Sequence, residues 1–159
     1  MKRLALTAAT IAFVAVVAGC GGGGDTSGSA ASTGTNADAA GDAASAAANE
    51  ACADANREIA ALPAPGNETA VLEYLEETEE TVAKLQVEVA DLDGSPGITE
   101  YAQALATSVT VLNEMANAAR SRNPDEVREL SKELEKLRLG RVAEAAGLET
   151  CAEAPEVES

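Results

Sequence analysis

Histidine is absent from the 159-residue chain, and its absence limits what the other reactive residues can do. Imidazole is the commonest general base and metal ligand near neutral pH. Without it, Ser-His and Cys-His nucleophile pairs are excluded. So are the di-metal sites that helical bundles build from Glu-x-x-His. What remains is three cysteines, Cys20, Cys52 and Cys151, and 27 acidic side chains against 11 basic ones. Thiols without a Cys-x-x-Cys spacing or a flanking cation pattern point to modification or cross-linking, not to redox catalysis. We expect no catalytic residues, no cofactor and no metal site.

Three charged groupings are weighed against that expectation. Nine acids and one base, Lys84, fall between Glu68 and Asp93, with Glu73, Glu76, Glu77, Glu79, Glu80 and Glu88 crowded together. The group offers a divalent-cation patch or an acidic docking face. The plainer reading, which we prefer, is a solvated helix face that keeps the molecule soluble. Asp91-Leu92-Asp93-Gly94-Ser95 with Glu100 imitates a calcium loop in which Gly94 takes the sixth place. Val89 then stands first, where a carboxylate is required, and Pro96 eighth, so a capped turn is expected instead. Arg120, Arg122, Arg128 and Lys132 form a cationic group able to meet an anion or an acidic partner. Pairing with neighbouring glutamates is the simpler expectation. Asn67-Glu68-Thr69 is formally a glycosylation sequon and carries no weight.

The first cysteine has a different setting. Lys2 and Arg3 precede an apolar run from Leu4 to Ala18, interrupted only by Thr7 and Thr10, and Val17-Ala18-Gly19-Cys20 follows. Cations, a short apolar stretch and small residues before a cut are the parts of a secretory signal. A bilayer span needs about 20 apolar residues, more than this run supplies. Val17-Ala18-Gly19-Cys20 resembles the lipobox of bacterial lipoproteins: an aliphatic residue, two small ones and the cysteine. The resemblance covers the first twenty residues. It implies cleavage after Gly19, a diacylglyceryl thioether on Cys20 and acylation of the new amine by palmitate-type chains. Two or three such chains anchor stably, where one binds only marginally. The expected place is the extracytoplasmic face of a cell membrane, with residues 1–19 as signal peptide.

Loss of Lys2 and Arg3 leaves 9 cations against 27 anions, a mature charge of −18. A surface so acidic repels phosphate backbones, so no nucleic-acid partner is expected. Residues 20–48 hold Gly, Ala, Ser, Thr, Asn and Asp and no large apolar side chain. They read as the lipidated cysteine and a disordered tether, because such a composition buries too little to offset its ordering entropy.

From Asn49 a helical period begins, and residues 49–152 read as an all-α, up-down antiparallel bundle of three long helices plus a shorter N-terminal one. The first helix presents Cys52, Ala55, Ile59 and Leu62. The second shows Val71, Leu75, Thr78, Val82, Leu85, Val89 and Leu92, and the third Ile98, Tyr101, Leu105, Val109, Leu112, Met115/Ala116 and Ala119. The fourth continues from Val127, Leu130, Leu134 and Leu137 to Ala145. Pro63-Ala64-Pro65-Gly66 separates the first two helices; Asn67, Ser95 and Asn123 are expected caps; Gly147 is a stop with Leu148 folded back. Residues 153–159 form an acidic tail.

An exported chain meets an oxidising compartment, so Cys52 and Cys151 are expected to form a disulfide. Buried free thiols are the alternative. The bridge requires the chain after Gly147 to turn back towards the first helix. The bundle is also similar to small Ala-rich helical lipoproteins of high-GC Gram-positive bacteria. The likeness rests on the bracketing cysteines, Leu62-Pro63-Ala64-Pro65 and Gly147-Leu148-Glu149-Thr150-Cys151, and covers Ala51 to Ala152. It implies no catalytic residues. The expected function is a non-enzymatic binding or interaction module of the cell envelope, held by the lipid on Cys20 and meeting an envelope protein or a small ligand. The rival is a carrier of a small apolar ligand held between the helices beside Leu, Val and Met115. An enzyme is the least supported reading.

Overall fold

The computed structural model describes residues 36–92 and 95–153. All fall in one compact unit, Thr33–Ser159; the other, Met1–Ser32, lies outside the described residues, and with it Cys20. Every element among the described residues is a helix: α1 (Asn36–Ala60), α2 (Glu68–Ala90), α3 (Pro96–Arg120), α4 (Pro124–Leu137), α5 (Leu139–Ala145) and α6 (Glu149–Ala152). The helices pack on one another as an antiparallel bundle. None is long and apolar enough to cross a membrane.

Helices α2 and α3 form the centre. Leu85 and Val89, late in α2, share a cluster with Ile98 and Tyr101, early in α3. Arg120 at the end of α3 reaches Glu76, early in α2, at 2.6 Å. The two therefore run antiparallel along their length. The first cluster is completed by Ala44, Ala48, Cys52 and Ala55 of α1, Ala143 of α5, Leu148, and Cys151 of α6. A second cluster buries Leu75, Val111, Leu112, Met115 and Ala116, with Val127, Leu130 and Leu134 of α4 half-buried against it. Helix α1 thus covers one end of the central pair and α4 the other.

Because α3 is covered on more than one side, its buried set is wider than one heptad stripe. Ser108 lies at its centre and is buried, while Val109 is only half-buried. The Ser108 hydroxyl donates to the Leu105 carbonyl at 2.7 Å, which is what makes a buried hydroxyl tolerable. Thr81 solves the same problem in α2 by donating to the Glu77 carbonyl at 3.0 Å.

The helix ends follow their caps. Asn67 accepts the Ala70 amide at 3.0 Å. Asn123 accepts the Glu126 amide at 3.3 Å, and its own amide nitrogen donates to the Glu126 carboxylate at 2.8 Å. Pro124 follows it at the first helical position. Ser95 precedes Pro96 as expected, but its side chain makes no cap hydrogen bond.

Two features differ from the reading of the sequence. Helix α1 begins at Asn36, so it runs well into the segment read as tether, and at 25 residues it is not the short helix of the bundle. Ala44 and Ala48 are buried, against α6 and its neighbours. Alanine has the strongest helix propensity and lets helices approach closely, so a face without large side chains still packs. The rest of the segment read as tether, residues 20–35, and the tail, 154–159, lie outside the described residues.

The fourth long helix is broken. Arg138 adopts φ 48°, ψ 46°, ending α4 and starting α5. The break resets the helical phase: Ala143 is fully buried where Ala145 was expected, and Ala145 is exposed. Helix α5 then stops at a left-handed Gly147 (φ 74°), with the Leu148 amide donating to the Ala143 carbonyl and the Gly147 amide to that of Glu144. Leu148 folds back into the core, and the turn aims α6 at α1.

Candidate functional site

The reactive centre among the described residues is a disulfide joining Cys52 and Cys151, with Cα atoms 5.1 Å apart and a sequence separation of 99. Cys52 lies on the packed face of α1 between Ala48 and Ala55. Cys151 is brought there by the turn at Gly147. The Tyr101 hydroxyl lies 3.7 Å from the Cys52 sulfur and donates to it, since a disulfide sulfur carries no proton. Burial pushes the Tyr101 phenol up to about 12, well above its ordinary value. The cystine therefore sits among buried apolar side chains under a neutral phenol. That is a cross-link, not a reactive dithiol.

Two asparagines frame the cross-link. Asn49 accepts the Thr150 amide at 2.9 Å through its side-chain oxygen. Asn56 donates to the carbonyls of Thr150 and Glu153, each at 3.3 Å. Neither residue had been singled out. The available signal was their spacing: Asn49, Cys52 and Asn56 are three and four apart and so share one face of a helix.

The charged groupings resolve into surface pairs. Arg120 meets Glu76 at 2.6 Å, Arg128 meets Asp125 at 2.7 Å, and Lys132 meets Glu129 at 2.8 Å. Lys132 holds the Glu129 carboxyl below its usual range. Lys84, the base among the acids of α2, reaches across to Glu58 of α1 at 3.2 Å, which raises the ammonium above its ordinary value. Glu73, Glu76, Glu77, Glu80 and Glu88 are exposed and Glu79 is half-buried. All these pairs are solvent-exposed, so each contributes little to stability. Of the calcium-like loop, Asp91 caps α2 and Glu100 is exposed on α3, while Asp93 and Gly94 lie outside the described residues. Among the described residues no three His, Cys, Asp or Glu side chains converge as a metal site would require.

Among the described residues the surface also carries apolar clefts, one of them at an end of the bundle. A cleft of about 260 Å³ opens where the start of α2, the end of α3 and the start of α4 meet. Val71, Ala119, Pro124 and Val127 line it, with exposed Glu68 and Arg122 beside them. Arg122 stands at φ 56°, in the turn that closes α3, and its amide donates to the Ala119 carbonyl at 2.9 Å. The cleft is open to solvent and lies at one end of the bundle, away from the disulfide end.

Comparison with known proteins returns no matching family model, no curated relative and no solved structure of similar fold.

Proposed function

We propose that the chain is an exported lipoprotein, held by lipid on Cys20 at the extracytoplasmic face of a cell membrane, and that its bundle serves there as a non-enzymatic binding module. The observation that carries this reading is the Cys52–Cys151 disulfide. Such bonds form and persist in oxidising compartments, and Val17-Ala18-Gly19-Cys20 supplies a route to one. The absence of histidine from the sequence and the surface pairing of Arg120, Arg128 and Lys132 favour binding over catalysis. The partner class is an envelope protein or small ligand rather than nucleic acid, on grounds of charge.

The test is detergent phase partition of protein expressed with its own leader. The account expects the mature chain in the detergent phase, beginning at an acylated Cys20, and Cys20→Ser as an uncleaved precursor. Normal processing of Cys20→Ser, read by intact mass, overturns it.

The apolar cleft favours a second reading, a carrier of a small apolar ligand, but at the surface between α2, α3 and α4 rather than inside the bundle. A carrier should enhance the fluorescence of an apolar probe at micromolar concentration and lose that binding with Val71→Lys. Probe binding unaffected by Val71→Lys counts against this site.

A further inference from the structure

Helix α6 has only four residues and its N-cap, Leu148, offers no side-chain cap. A single helical turn is not stable by itself, because nucleation fixes several residues for one hydrogen bond. Its backbone groups are instead satisfied from another helix. Asn49 takes the place of the missing N-cap by accepting the Thr150 amide, and Asn56 takes the place of a C-cap by donating to the Thr150 and Glu153 carbonyls. Both come from the α1 face that carries Cys52, one on either side of it. On its other flank α6 is pressed against α5: a Cβ at Gly140 would lie 2.9 Å from the Ala152 carbonyl oxygen. Leu148, fully buried, anchors the turn that delivers α6.

We propose that Asn49 and Asn56 form a non-covalent latch that docks α6 on α1 whether or not the disulfide exists, and that the disulfide locks a latch already closed. The bond then forms inside the folded bundle, with both thiols held in reach. With glutathione disulfide as oxidant, one cysteine thiolate attacks a glutathione sulfur and expels one glutathione thiolate. The second cysteine attacks the resulting mixed disulfide and expels the other. Two electrons pass from the protein thiols to glutathione, and their two protons end on the departing thiolates. Cys151, the more exposed of the pair, is the expected site of the first step.

The latch makes the redox equilibrium depend on two residues that carry no sulfur. In glutathione buffers, with the full chain in detergent and thiols quantified by alkylation, the midpoint ratio of reduced glutathione squared to glutathione disulfide should fall for Asn49→Ala or Asn56→Ala by up to about tenfold, as far as the reduced latch opens. The double variant should fall further, with about a hundredfold, the scale of the hydrogen bonds removed, as its upper limit. Alanine is the better helix former, so weakening of α1 is not an alternative cause. A midpoint within about twofold of the parent in a folded double variant overturns the proposal. A second measurement decides if that variant fails to fold. In Cys52→Ser/Cys151→Ser the Thr150 amide should remain protected from hydrogen exchange, and adding Asn49→Ala should speed its exchange at least about tenfold. Exchange at Thr150 that is equally fast with and without Asn49 would show that the bond, not the latch, holds α6.

Discussion

Two arginines occupy backbone positions better suited to glycine. Arg122 and Arg138 have φ of 56° and 48°, where a Cβ crowds the following carbonyl at a cost of about 1–2 kcal/mol. Part of that is regained on substitution by glycine and part is lost to the freer unfolded chain. Arg122→Gly is expected to raise stability by about 0.5–1 kcal/mol in urea titration, and Gly147→Ala to lower it by about 1 kcal/mol. At Gly147 a new Cβ meets nothing within 4 Å, so the whole effect belongs to the backbone angle. Tyr101 gives a pH signature. Below the ordinary phenol value of 10.0 both folded and unfolded chains hold the proton, and the group adds no pH dependence. Between there and about 12 the unfolded chain releases it and the folded one does not, so stability falls as pH rises. Tyr101→Phe should flatten that alkaline decline between pH 9 and 11 in chemical denaturation; an unchanged slope would show that the phenol is not buried as described.

At the scale of the element, the parts with large side chains at regular spacing were legible. The seams of α2 and α3, the cap at Asn67, the capping arrangement at Asn123 and the stop at Gly147 follow from residue type and period. What was not legible has a physical reason in each case. Alanine carries little hydrophobicity, so the buried face of Ala44 and Ala48 leaves no stripe in the sequence, and its stability comes from close approach to neighbours that are distant in the chain. The break at Arg138 has no glycine or proline to announce it; the demand that α5 and α6 turn back towards α1 overrides local propensity. Ser108 reads as a surface residue until α3 is known to be covered on more than one side. The reach of α1 predicts that residues 41–48 resist limited proteolysis, and that Ala48→Leu, which overfills a site of zero exposure, costs about 1–3 kcal/mol. Cleavage within 41–48 in the parent as fast as in an unfolded peptide would contradict the packing described.

The described residues form a thin-cored bundle closed by one long-range bond. A loop of this length, with the cysteines at a sequence separation of 99, has a chain-entropy contribution close to 5 kcal/mol, and typical measured values are about 2–4 kcal/mol. Against a total of about 5–15 kcal/mol for a domain of this size, that is a large share. Reduction should lower the urea midpoint by a corresponding amount while the helical circular dichroism at zero denaturant persists, because α2, α3 and α4 share an apolar cluster that contains no cysteine. Of the site, the pair Cys52 and Cys151 was legible from cysteine count together with the expectation of export. The framing asparagines and the cleft near Val71 were not, since both depend on elements that meet only in the folded chain.

The central claim, an exported and lipid-anchored bundle closed by a disulfide, is tested most directly by mass spectrometry of unreduced protein recovered from the membrane fraction of its own host. The account predicts a mature chain that begins at an acyl-modified Cys20 and yields, on digestion, one peptide pair linked through Cys52 and Cys151. A chain that retains Met1 and carries free thiols at Cys52 and Cys151 would contradict it.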